Sequence, residues 1–363
     1  MNNNTNFNGG FDSRSCYLTD EALGLGSSTN TSEARRISSR VHLSLFIYIL
    51  IINAVMLATS LVLSIIIVAT ESEALIDLVN DELFSLFLGS VVQYLIGFPI
   101  LYVIIRAMVK PKYYDKKRLS VGEYFLFLLI GEALMIVGSI VGNIFSEIIG
   151  GIFGTANENS VNTVVSELPV WAIFIVVCVL APIFEEIIYR KLIMDRFGKI
   201  GGALAVLLSA IAFGLMHCNF YQLFYAVAVG IVFGYVYQRT HNILYTISMH
   251  AILNFLGSIV TIPILEASEK VEKMELILNA GGTVERSEYY LNYLLVTVYS
   301  LFQLAILAGG VTALVLYIVK KKRLLLWDLG KCPKQAVGAS FANVGAILFF
   351  SLCMILSLVN LVL

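Results

Sequence analysis

Charge is scarce in this chain. Asp, Glu, Lys and Arg make up 13% of its 363 residues, where a soluble domain carries roughly 25%. Hydrophobic residues fill the gap at 58%, and the mean hydropathy is +0.86. That balance excludes an ordinary soluble enzyme and predicts a polytopic membrane protein. The net charge of −1 leaves no positive excess to attract nucleic acid, so none is expected as a partner. Cysteine is sparse and scattered: Cys16, Cys178, Cys218, Cys332 and Cys353 form no C-x-x-C pair and no zinc-ribbon spacing. Free thiols are therefore expected, with no disulfide framework. The opening residues are also not expected to act as a signal peptide. Residues 1–40 are rich in Asn, Ser, Thr and Gly, too polar to offset the cost of ordering, and are expected to form a disordered tail.

Apolar runs supply what the composition promises. Nine of them, near 43–69, 83–109, 123–151, 168–197, 201–217, 220–238, 242–265, 291–319 and 336–362, approach the length that crosses a bilayer. Backbone groups in lipid must bond within the segment, so the predicted fold is an all-α transmembrane bundle of about eight to nine spans. Lys and Arg cluster before the first run and after the second, fourth, sixth and eighth, whereas 70–82 and 152–167 contain neither. The asymmetry predicts a cytoplasmic N-terminus, and the mixed charge of 266–290 makes that the weakest part of the count. Gly138-x-x-x-Gly142 and Gly230-x-x-x-Gly234 are small-residue spacings suited to close helix packing.

Against this background three short segments stand out: Glu185-Glu186-Ile187-Ile188-Tyr189-Arg190, Phe213-Gly214-Leu215-Met216-His217 and His250-Ala251-Ile252-Leu253-Asn254. An ionised side chain at mid-bilayer costs at least about 2.5–3.5 kcal/mol, which makes such residues functional candidates. Glu186 and Arg190, four apart, share a helix face and can pair, while Glu185 lies about 100° around the helix and can face elsewhere. Pro182, a turn earlier, can bend the helix and free a carbonyl. The same four-residue spacing sets Phe213 beneath His217, and His250 beside Asn254. Taken singly, each has a plain structural reading: an ion pair at the membrane edge, a satisfied histidine, an interhelical amide. Their depths are compatible without being equal. Counted from the neighbouring turns, Glu185 lies roughly 20 Å, His217 roughly 25 Å and His250 roughly 14 Å into the membrane.

In this order, on successive hydrophobic helices, Glu-Glu-x-x-x-Arg, Phe-x-x-x-His and His-x-x-x-Asn resemble the CPBP family of intramembrane proteases. That family includes CAAX prenyl endopeptidases and bacteriocin self-immunity proteins. The resemblance covers about residues 168–260. It implies Glu185 as general base, His217 as a holder of the attacking water, His250 and Asn254 as the oxyanion hole, and Glu186, Arg190 and Phe213 in support. His42 and His241 match nothing and are expected at the membrane interface.

Two Glu and two His could instead ligate zinc, with Glu185, His217 and His250 as the ligand set. No His-Glu-x-x-His is present, so glutamate-activated water is the preferred mechanism and no cofactor is expected. The expected organisation is a tail over 1–40, accessory helices over 41–167, a protease core over 168–262, and a loop with C-terminal helices over 263–363. The expected partners are the lipid bilayer and a membrane peptide or lipidated protein substrate. The expected location is a bacterial plasma membrane. The alternative function is a non-catalytic peptide-binding or bacteriocin immunity protein using the same cavity.

Overall fold

The structure, a computed structural model, describes residues 31–108, 115–155, 168–321 and 334–362. The expected tail up to residue 30 and the basic residues Lys322 and Arg323 lie outside them. Among the described residues every regular element is a helix, with no strand. They are α1 (Thr31–Thr70), α2 (Glu73–Asn80), α3 (Glu82–Met108), α4 (Val121–Phe153), α5 (Val170–Phe197), α6 (Gly202–Met216), α7 (Phe220–Thr240), α8 (Ile243–Gly257), α9 (Ile262–Asn279), α10 (Arg286–Lys321), α11 (Lys334–Phe341) and α12 (Val344–Val362).

Among the described residues eight helical stretches are long and apolar enough to cross a membrane, α8 and α9 forming one of them. The fifth expected span differs. It is the 15-residue α6, roughly 22 Å long, buried between its neighbours rather than wrapped in lipid. Hydropathy alone cannot separate a short core helix from a span, because both are apolar all round.

The first helix also begins earlier than expected. Residues 31–40, assigned above to the disordered tail, are the first turns of α1. Their ordering is tertiary. The Ser38 hydroxyl donates to the Ser340 carbonyl at 2.5 Å, the Asn343 amide donates to Ser38 Oγ at 3.3 Å, and Ser39 Oγ accepts from the Gly345 N–H at 3.2 Å. Further along α1, Leu57, Ile65 and Val68 are exposed and apolar, a face suited to acyl chains.

Small residues set the closest contacts. A Cβ at Gly138 would run into the backbone of Tyr225, and one at Gly142 would sit 2.6 Å from the Tyr221 carbonyl oxygen, so this spacing seats α4 on α7. Gly230 and Gly234 seat α7 on Ala210 and Val206 of α6 in the same way. The entry to α4 is locked by a capping box between Ser120 and Glu123, and Glu123 also pairs with Arg239 of α7 at 3.1 Å.

Two spans lose α-helical register, each beside a proline. A π-helical turn occupies Val91–Gly97 in α3 ahead of Pro99, and another Phe174–Leu180 in α5 ahead of Pro182. A second π segment, Ile187–Met194, follows the Glu185-Glu186 pair. Such widenings re-aim side chains and recur at functional sites.

Candidate active site

Glu186 and Arg190 do pair, and the pair is sealed. Arg190 Nε donates to Glu186 Oε2 at 2.9 Å, and both side chains have no solvent exposure. The rest of the guanidinium is satisfied as well: Nη1 donates to Ser209 Oγ at 3.0 Å, and that hydroxyl donates to the Tyr189 carbonyl at 2.9 Å. Phe213 and Phe233 lie 5.6 and 6.0 Å from the guanidinium carbon, close enough for cation–π attraction. Ser209 and Phe233 escaped the sequence reading, since a Ser and a Phe in apolar helices carry no signal of their own.

Glu185 faces the other way, into a cavity of about 740 Å³ that His217, His250, Asn254 and Phe213 also line. About 15% of its side chain remains exposed, so water can reach it. The three motifs meet: His250 Nε2 is 3.7 Å from Glu185 Oε2, and the Phe213 ring lies 5.7 Å from His250 and 5.2 Å from His217.

His250 sits between the two carboxylates. Nδ1 is 3.2 Å from Glu186 Oε1 and Nε2 is 3.7 Å from Glu185 Oε2. The carboxylate paired with Arg190 can only accept, so Nδ1 carries a proton and donates it to Glu186. A hydrogen bond donated from Nε2 into the cavity then requires a proton on both ring nitrogens.

Asn254 has a second duty that its spacing does not reveal. Its Nδ2 donates to the Val177 carbonyl at 2.8 Å. In the π register the N–H of Ala181 bonds the carbonyl of Val176, five residues back, so the next bond would run from residue 182 to Val177. Residue 182 is proline and has no N–H. Asn254 fills the vacancy, fastening α8 to the break in α5. One amide proton is thereby committed to the backbone.

The remaining two histidines are both buried within the protein. His42 is fully buried, packed by the rings of Phe197, Phe349 and Phe350, with Nδ1 2.8 Å from the Ser38 carbonyl; His241 is also buried. His42 packs between helices, and His241 caps the C-terminus of α7. Among the described residues no group of three His, Cys, Asp or Glu side chains is arranged to hold a metal ion. The described cysteines, Cys178, Cys218 and Cys353, are free thiols.

The cavity has a wall that the three motifs did not announce. Ser85, Ser90, Gln93, Ser139 and Asn143 reach it from α3 and α4, outside the segment that holds the motifs. Gln93 and Asn143 are amides within apolar spans, a signal readable in the sequence by the same argument that singled out Asn254.

A family model for type II CAAX prenyl endopeptidase Rce1-like proteins matches residues 167–256, the stretch that holds all three motifs. The matched residues are thus similar to CPBP-family proteases over about a quarter of the chain. The chain is 27% identical over 169 residues to "Putative membrane peptidase YdiL" of Bacillus subtilis, covering 46% of this chain and 68% of that protein. It is 28% identical over 144 residues to the UPF0177 protein YvdC of Lactococcus lactis, of which it spans only 55%. A second Lactococcus lactis relative, the UPF0177 protein YbdI, is 34% identical over 127 residues, 65% of its length. No solved structure matches the chain. The matched stretch runs over α5 to α8.

Proposed function

We propose that the chain is an intramembrane endopeptidase in which Glu185 activates water to hydrolyse a peptide bond. One observation carries the reading: Glu185, His217, His250 and Asn254, from three separate helices, open onto a single cavity, while Glu186 and Arg190 are sealed behind it. In the proposed step Glu185 takes a proton from a water held by His217 as the water oxygen attacks the scissile carbonyl. The tetrahedral oxyanion receives hydrogen bonds from His250 Nε2 and from the uncommitted amide proton of Asn254. Collapse breaks the C–N bond, and the proton held by Glu185 passes to the leaving amine. Glu186 and Arg190 act as positioning residues, with Glu186 holding His250 through Nδ1. We place the protein in a bacterial plasma membrane with its N-terminus in the cytoplasm, as the Lys and Arg distribution favours.

The test is cleavage of a membrane-peptide library by protein in liposomes. Wild type should cleave with or without a strong chelator, and Glu185→Gln should lose about 10²–10⁴-fold in rate, the usual worth of a general base. Activity lost to chelator and restored by zinc would refute the glutamate mechanism. Peptide binding with no cleavage by wild type would favour the immunity or binding role instead.

A further inference from the structure

Two thiols that the proposed chemistry does not use meet directly behind it. Cys218 follows His217 in the turn between α6 and α7, and Cys353 lies on α12 with no exposure. Their side chains are in hydrogen-bond contact with each other. Helices distant in sequence bring them together, so no cysteine spacing announces the pair. Cys178, the third described thiol, lies apart from it, 3.6 Å from Ser258 Oγ.

The surroundings make this pair a handle on the site. Cys218 has a φ of 46°, a left-handed backbone that a residue other than glycine rarely takes. Contacts from outside the turn have to hold it there, and α12 supplies one: Asn360 Nδ2 donates to the Cys218 carbonyl at 2.9 Å. The preceding residue, His217, lines the cavity. A change in how α12 holds Cys218 therefore passes through one peptide unit to the imidazole proposed to hold the water. The two thiols also differ in access. Cys218 is half-buried, whereas Cys353 is sealed in the core that includes Tyr189 and Phe213. Because α6 rises roughly 22 Å from Gly202, Cys218 lies towards the membrane face opposite Lys199. In the orientation proposed above that face is the outer one, where disulfides form and persist.

We infer that Cys218 and Cys353 are a redox-modification site: a reversible disulfide between them draws the turn between α6 and α7 towards α12, displaces His217 and switches cleavage off. The oxidant is a small disulfide, X–S–S–X. The Cys218 thiolate attacks one of its sulfurs, the S–S bond breaks, and X–S⁻ leaves. The Cys353 thiolate then attacks the Cys218 sulfur and expels the second X–S⁻. The two protein thiols give up two electrons and two protons, and the small disulfide becomes two thiols. A covalent S–S bond is shorter than a hydrogen bond between thiols, so closing it has to move the turn. The effect on cleavage rests on the hydrolase reading; the disulfide itself does not.

The test uses the whole chain in liposomes with Cys16→Ser, Cys178→Ala and Cys332→Ser, so that only the pair remains, and dithiodipyridine as the oxidant. Mass spectrometry of proteolytic peptides should find Cys218 linked to Cys353, with two thiopyridone molecules released and none retained. Cleavage should fall on the order of 10²-fold, the cost of a misplacement of about 1 Å, and return when a reductant is added. Adding Cys353→Ala should leave one thiopyridyl group on Cys218 and no linked peptide. Adding Cys218→Ala instead should abolish the response to the oxidant, each variant being compared with its own untreated rate. Folded protein that forms no linked peptide would overturn the inference, as would a linked form that cleaves as fast as the reduced one. A linked peptide from protein that cleaves nothing in either state would uphold the disulfide site and sink the hydrolase.

Discussion

The two adjacent glutamates differ by one position and by everything around them. Glu186 points inward to a guanidinium and an imidazole and has no solvent exposure; Glu185 points into an open cavity and keeps some. The difference predicts opposite responses to substitution. Arg190→Met leaves a buried carboxylate without its counter-ion and should cost about 3–5 kcal/mol of stability, visible as a lower midpoint in detergent denaturation. Glu185→Gln should leave that midpoint nearly unchanged while removing cleavage. A neutral pair, Glu186→Gln with Arg190→Met, should recover much of the stability, since a buried ion pair stabilises little beyond what neutral packing does. The pairing of Glu186 with Arg190 was legible from four-residue spacing. The Ser209 hydroxyl that completes the guanidinium's bonds was not, because it comes from nineteen residues away on another helix.

Among the elements, α5 is the one whose irregularity matters. Pro182 removes a hydrogen bond, the helix widens to π, and Asn254 of α8 supplies the missing donor to Val177. A double-mutant cycle tests this coupling. Asn254→Ala alone should lose stability by about 0.6–1.7 kcal/mol, the range for an interhelical hydrogen bond in a membrane bundle. In a Pro182→Ala background the new N–H can reach Val177, so the same substitution should cost less by most of that amount, measured as a shift in denaturation midpoint. Additive effects would mean that the amide and the proline act independently. The bend at Pro182 was readable as a possibility of the sequence. That its freed carbonyl faces Asn254 was not, since sequence reasoning about a proline names the broken bond without naming what replaces it.

At the scale of the whole molecule, the motif-bearing helices α5 to α8 pack with helices that carry none of the three motifs. The start of α1 is clamped by α11 and α12 through Ser38, Ser39, Ser340, Asn343 and Gly345. A Cβ at Gly345 would collide with the Ser39 carbonyl. Gly345→Leu should therefore pry α12 from α1. Cys353, fully buried on α12, should then react with a maleimide markedly faster in a protein carrying it as the sole cysteine. Unchanged labelling would show that the clamp does not depend on that close approach.

Composition and hydrophobic run length determined by themselves that this is a helical membrane protein, because a chain with so few charges has to satisfy its backbone within helices. Residue order determined the Glu186–Arg190 pair and the list of candidate groups, because four-residue spacing on a helix is local geometry. Tertiary structure decided the rest: that α6 is a buried short helix, that residues 31–40 are ordered, that His42 is core, and that Glu185, His217, His250 and Asn254 share a cavity whose far wall comes from α3 and α4. Those outcomes depend on how helices distant in sequence tilt, break and pack, and a periodicity read along one helix carries no information about the side chains of another.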